Sequence, residues 1–149
     1  LFSQHALAAA EPSQRAKVHS KATGASFLSG EDFRGLDLRG VAFFSANLRK
    51  ANFSRSNLGN ASFEGSALVR SLFKKSKARG ASFQGADLTK ADLRGADLRG
   101  ADMQRANLRG ARLKGAKLGK VHWKSTICPD GTNSDSNANT CLGHLRPKG

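Results

Sequence analysis

Acidic residues are scarce in this 149-residue chain: 11 Asp and Glu stand against 25 Lys and Arg, a formal net charge of +14. The scarcity leaves little for a divalent cation. Asn133, Asp135, Asn137 and Asn139 alternate as in a calcium loop, but no closing Glu follows. Only two cysteines are present, Cys128 and Cys141, and with His122 and His144 they do not make a standard zinc spacing. No apolar run reaches the roughly 18 residues needed to span a bilayer as a helix. Neither G-x-G-x-x-G nor a P-loop occurs, so the many glycines do not form a known phosphate cradle. No Ser/His/Asp arrangement exists, and His5, His19, His122 and His144 lie outside the regular part of the chain or at its end. No catalytic residue, metal or cofactor is expected, and the chain reads as a non-enzyme.

What the chain does have is a period of five. Ala86 to Lys120 reads ADLTK ADLRG ADLRG ADMQR ANLRG ARLKG AKLGK without a break. On a helix a step of five rotates the side chain by roughly 140° net, which scatters the apolar residues around the axis. On a strand an odd step alternates faces. Residues at this spacing share one interior only if the chain turns by a fixed angle in every unit, which makes the stretch a solenoid. Stepping by five from Leu88 gives 19 centres from Phe33 to Trp123, of which 10 are Leu and 6 are Phe. Two residues before the centre, 15 of the 19 positions are Ala or Ser, small enough to point inward as well. Ala25, Ser26 and Phe27 repeat the pattern with a one-residue slip, an irregular first turn.

The unit resembles A(D/N)LXX, that of the pentapeptide-repeat family, over roughly Ala25 to Ser125. The pattern is broken at Leu36 and Val41, which are large for the small position, and at Ala78, which is small for a centre. Neighbouring rings are expected to fill the space at Ala78. The resemblance implies an all-β fold, a right-handed quadrilateral (square) β-helix with four units to a coil. The phenylalanines at 33, 43, 53, 63, 73 and 83 add support, because a ten-residue recurrence needs an even number of units per coil. With four, Phe33, Phe53 and Phe73 stack on one face and Phe43, Phe63 and Phe83 on the opposite one. The 95 residues of units 31–125 make just under five coils, about 20–25 Å tall at strand spacing. Glycines at the last position of many units suit corners of unusual backbone angle. Asp87, Asp92, Asp97 and Asp102 fall on four different faces, too dispersed for acid–base pairing, and are expected to hydrogen-bond turn backbone.

The expected organisation is an N-terminal arm, cap or signal remnant at 1–24, the β-helix at 25–125 and a C-terminal cap loop and tail at 126–149. Leu1 to Ala10 holds the small-x-small sites Ala6-Leu7-Ala8 and Ala8-Ala9-Ala10, like the tail of an export signal. The other reading is a short Ala-rich helical turn capped by Ser3 and stopped near Pro12. Ser13 to Thr23 is basic and could cover the open edge of the first coil. Trp123 is expected to plug the last coil. Cys128 and Cys141 flank a polar loop. A disulfide there would stabilise by roughly 3 kcal/mol and favour an oxidising compartment; two free thiols are the alternative. The run Trp123-x-x-Thr126-x-Cys128-Pro129-Asp130-Gly131-Thr132 is similar to tails that close exported pentapeptide-repeat proteins.

The repeat units carry 20 Lys and Arg against 8 Asp and Glu, so the charge belongs to the rod. The residue after each centre and the next one, near the corner, are expected to face outward. That puts Arg34, Arg55, Lys74, Lys75, Arg94 and Lys114 on the face of Phe33, and Arg39, Arg79 and Arg99 on the following face. Lys50, Arg70 and Lys90 stack at the corner before the first. The face of Phe43 shows Phe44, Glu64, Gln84 and Gln104 instead. A basic surface therefore wraps two faces and a corner. It either keeps the rod soluble or binds a negatively charged partner.

The leading functional reading is a rigid, non-catalytic docking module that binds an acidic protein surface in a larger complex. The resemblance implies a place for it, since the family is abundant in cyanobacteria and includes proteins of the chloroplast thylakoid lumen. A lumenal subunit or assembly partner of a photosynthetic membrane complex, such as a photosystem, is the specific form; a secreted or periplasmic protein is the alternative location. The second reading is nucleic-acid binding through phosphates, prompted by a pI of about 10.8. Phe44 would be the main exposed ring for base stacking. Mimicry of duplex DNA, known in the family, needs an acidic rod and does not apply.

Overall fold

A large apolar side chain at every fifth position forces the backbone to bend between one inward residue and the next. In a computed structural model, which describes residues 28–146, it bends at every unit. The residue before each centre makes a parallel bridge to the residue twenty positions on, from Asp32 with Asn52 through to Asn107 with Ile127. Four units therefore complete one coil, and the chain presents four walls. The first holds the centres Phe33, Phe53, Phe73, Leu93 and Leu113, and the second Leu38, Leu58, Ala78, Leu98 and Leu118. The third holds Phe43, Phe63, Phe83, Met103 and Trp123, and the fourth Leu48, Leu68, Leu88 and Leu108. Residues 1–27, with the export-signal, arm and first-turn expectations, lie outside the described residues.

Each unit hydrogen-bonds to the coil on either side. Asn52 N donates to Glu31 O at 2.9 Å and Phe53 N donates to Leu72 O at 2.7 Å. The turn closes locally: Ala51 N donates to Leu48 O at 3.0 Å. Among the described residues four small positions are a buried Ser: Ser56 and Ser71 return the hydroxyl to the preceding centre's carbonyl, Phe53 O and Leu68 O, both at 2.6 Å, Ser66 donates to Phe43 O in the coil below, and the Ser76 hydroxyl has no hydrogen-bond partner. The first three hydroxyls thus avoid the cost of an unmade hydrogen bond inside the rod. Leu36 and Val41 fit at the small position in the first coils, 6% and 1% exposed.

The phenylalanines form two stacked columns and also meet across the interior. Phe53 stacks on Phe33 and Phe73, with centroids 4.7 and 4.9 Å away. It also meets Phe43 and Phe63 edge-on from the third wall, at 5.7 and 5.3 Å. Both geometries are favourable for aromatic quadrupoles. The rings interlock as a herringbone from Phe33 to Phe83, and Ala78 lies fully buried beside it.

The corner, two residues after each centre, has positive φ at all twenty positions from Gly30 to Ser125. Only half of these are Gly. The others, Ser45, Lys50, Arg55, Asn60, Arg70, Lys75, Lys90, Arg105, Lys120 and Ser125, hold φ between 50° and 61°. A left-handed L residue costs about 1 kcal/mol or more, so the stacking of the coils imposes the corner on whatever residue stands there. At Gly80 a Cβ would also lie 2.5 Å from Asn60 Oδ1, so a larger residue there would push the exposed Asn60 side chain aside.

The chain folds back over part of the last coil. Ile127 pairs antiparallel with Asn133, Ser134 N donates to Thr126 O at 2.8 Å, and a short 3-10 turn, Ser134–Ser136, follows. Cys128 and Cys141 are joined, with S–S 2.01 Å and Cα–Cα 5.4 Å. Trp123 is 4% exposed beneath this cap. Part of the last coil's edge is thereby withheld from pairing with another chain, while Ala116, Leu118 and Val121 stay only partly buried.

Replacing Phe53 with Ala is expected to cost about 3–5 kcal/mol, because four ring contacts are lost and the stacked walls cannot collapse into the gap. Phe44→Ala, on the outer wall, should stay within about 0.5 kcal/mol. Urea unfolding compares the two, and similar midpoints would rule out the ring columns as the main support. Reducing the disulfide should lower stability by about 3 kcal/mol, read as a downward shift of the thermal midpoint.

Candidate interaction surface

Because the centre points inward, its two chain neighbours point outward. The outer surface is therefore built from the residues before and after each centre, plus the corner. The first wall carries Arg34, Arg55, Lys74, Lys75, Arg94, Arg112 and Lys114, with Asp32 and Asp92. The second carries Arg39, Lys77, Arg79, Arg99, Lys117 and Lys120, with Asp37 and Asp97. The fourth adds Arg49, Lys50, Arg70, Lys90 and Arg109 with only Asp87. The third carries Arg105 and Lys124, balanced by Glu64 and Asp102. Positive charge covers three adjoining walls and leaves the third nearly neutral, so the basic surface is wider than the two faces and a corner anticipated from the sequence. Lys77, Arg112 and Lys117 were missed because the position before each centre was not counted as outward.

Of the twelve cations singled out in the sequence, all are exposed except Arg94, which is half-buried. They are not equivalent. Arg39 and Arg99 each lay a guanidinium on the carboxylate two residues back, Asp37 and Asp97, with charged atoms 2.7 and 2.6 Å apart. Arg34 does the same with Asp32, and Arg94 with Asp92 at 2.7 Å. Asp92 is 6% exposed and also draws Lys74 to 3.5 Å. These carboxylates also accept the backbone N–H of the same arginine, as in Asp92 with Arg94 N at 3.3 Å, the turn-bonding role read from the sequence. Lys50, Arg55, Arg70, Lys75, Lys90 and Lys114 have no ion-pair partner among the described residues. Arg79 makes no contact pair, but its charge acts on Asp97.

The pairing shows in the ionisation of the acids. The Arg99 hydrogen bond, reinforced by its charge and by that of Arg79, holds the Asp97 carboxyl down at about 2 against an opposing burial effect. For Asp92, burial pushes upward, but hydrogen bonds from Arg94 and the charges of Arg94 and Lys74 prevail and lower it. In the cap, Asp130 lies well below the usual carboxylate range. It accepts from the Thr132 hydroxyl and amide, and His144 Nδ1 lies 2.7 Å from its other oxygen.

Open grooves mark two of the basic walls. One of about 780 Å³ lies on the first wall between Asp32 and Lys75, and one of about 710 Å³ on the second, reached by Lys77, Arg79 and Arg99. Phe44, 44% exposed, sits on the near-neutral third wall, away from both. Among the described residues, no three His, Cys, Asp or Glu side chains are placed to hold a metal ion. Within them no helix is long and apolar enough to cross a membrane.

The family model for pentapeptide repeats matches residues 28–60, 37–74, 56–95 and 86–122, in eight copies. The chain belongs to the pentapeptide repeat family. Solved pentapeptide repeat structures agree with the right-handed β-helix. One is Rfr23 from the cyanobacterium Cyanothece 51142, 30% identical with a TM-score of 0.57, over 65% of this chain and 83% of that one. Another is a pentapeptide repeat protein of the Arabidopsis thaliana thylakoid lumen. It is 29% identical with a TM-score of 0.59, over 83% of this chain and 79% of that one. A search of curated proteins finds no match.

The ion pairs of this pentapeptide repeat predict an acid limb. Asp97 is depressed in the folded state, so its contribution is complete above the unfolded value of about 3.9 and is lost as pH falls through about 2. An Asp97→Asn variant should melt lower than the parent near neutral pH. The gap should narrow from about pH 4 downward, and thermal melts across that range measure it.

Proposed function

We propose that the protein is a rigid, non-catalytic docking module whose basic walls seat an acidic surface of a larger protein assembly. The observation that carries this is the asymmetry of charge. A coat meant only for solubility has no reason to leave one wall nearly neutral while three adjoining walls carry exposed cations, several without partners. The rod is well suited to such a task. It is square in section, about five coils tall and partly capped by the Cys128–Cys141 loop, and its wall residues are held in fixed rows by hydrogen bonds between coils. The functional parts divide as 1–24, 25–125 and 126–149.

For a place, we propose the chloroplast thylakoid lumen and a partner within a photosynthetic membrane complex. Two observations support it: the likeness to a thylakoid-lumen protein over most of the chain, and a disulfide that suits an oxidising compartment. A secreted or periplasmic setting would satisfy the disulfide equally.

Nucleic-acid binding is the second reading, favoured by the net charge of +14. Its weakness is the position of Phe44, the most exposed ring among the described residues, on the wall with least positive charge.

Co-purification from the native source tests the reading. Recovery with membrane complexes, lost when salt is raised to screen the contact, is the expected result. Recovery only as a lone chain at every salt concentration would count against docking. A gel shift with duplex DNA and with RNA at physiological salt separates the second reading.

A further inference from the structure

The corners are not occupied at random. In all four Asp-x-Arg units, starting at Asp32, Asp37, Asp92 and Asp97, the corner is a relaxed glycine: Gly35, Gly40, Gly95 and Gly100. There the charge is cancelled within the unit and the backbone is unstrained. The middle of the first wall does the opposite. Its outward positions before the centre are Asn52 and Leu72, without an acid, and the corners on both sides are left-handed cations. Lys50 and Arg55 flank one coil at φ 59° and 61°, and Arg70 and Lys75 flank the next at 59° and 56°. Successive coils lie about 4.8 Å apart, so the four form a compact frame. None of them has an ion-pair partner among the described residues. The left-handed corner is common to every unit, but four unpartnered cations set this close together are what an anionic ligand would neutralise. Two of the four, Arg55 and Lys75, line the groove of about 780 Å³ with Asn52, Ser54 and Leu72, and the carboxylate that also lines it, Asp32, is taken up by Arg34. Leu72 is half-buried on the outer wall and lies outside the core cluster.

We propose that this four-cation frame is the principal docking groove, and that its occupant is an acidic protein segment with an apolar side chain seated on Leu72. The proposal rests on the docking reading above and narrows it to one site. A half-buried leucine at the groove among cations favours a peptide over a nucleic acid, whose phosphates offer it nothing and whose bases would need a ring that the groove lacks. The chain's own N-terminal residues fit poorly by charge, with Arg15, Lys17 and Lys21 against Glu11, and a second copy at +14 is repelled.

The full-length chain is titrated, at low ionic strength, into two fluorescein-labelled peptides, one all Glu and one with a central Leu among Glu residues. Glycine is the residue that these corners accept without strain, so corner variants keep the coil. Arg55→Gly/Lys75→Gly should weaken binding of the Leu peptide about tenfold, whereas Arg105→Gly/Lys120→Gly, with equal charge removed from other walls, should change it less than about twofold. Leu72→Ser should abolish the preference for the Leu peptide over the all-Glu one. Equal losses in the two double variants would overturn the groove, showing that only net charge matters. Tighter binding of a duplex oligonucleotide, weakened by the same Arg55 and Lys75 changes, would overturn the peptide assignment. Failure of both peptides to bind, while salt-sensitive co-purification persists, would overturn the groove and leave the docking reading standing.

Discussion

The left-handed corner at every fifth residue is the constraint on which this molecule depends. Each corner turns the chain just enough for the next large side chain to point inward. Parallel pairing at twenty residues then locks one coil over another, so the geometry of any corner is set by those above and below it. Lysine and arginine at φ near 58° show how firmly it is set. Intrinsic preference would not place them there; the accumulated hydrogen bonds and ring stacks of the neighbouring coils do.

That rigidity gives the surface its meaning. Side chains of a flexible segment would average their charges, whereas here each cation keeps a fixed row and wall. Two chemistries share the rows. The Asp-x-Arg units neutralise themselves, with guanidinium and carboxylate two residues apart on the same wall. Other units place an unopposed cation at the corner beside an acid-free wall. Formal charge therefore overstates what the rod offers a partner: Arg34, Arg39, Arg94 and Arg99 are largely engaged with their own carboxylates, while Lys50, Arg55, Arg70 and Lys75 are not. The distinction separates surface that merely hydrates from surface that can pair.

Much of this was legible beforehand. A five-residue period excludes helix and flat strand, and the ten-residue recurrence of phenylalanine orders the columns. The outward role of Arg55 or Lys75 followed from their position after an inward residue. Other features were not legible. Lys77, Arg112 and Lys117 were overlooked although the alternation of a strand would have exposed them. The engagement of Arg99 by Asp97 depends on wall geometry that spacing alone does not convey, because a two-residue separation brings side chains together only when both flank an inward centre. The edge-on contacts between Phe53 and Phe63 needed the width of the interior, which no period reports.

The order of residues by itself determined the winding, the inward set and the excess of positive charge, because these follow from periodicity and composition. Tertiary structure alone decided which cations remain unopposed, how opposite ring columns interlock and where strain is held. Those outcomes depend on distances between residues that lie on the same wall but in different coils, or face one another across the core. The coil brings such residues together irrespective of their separation along the chain.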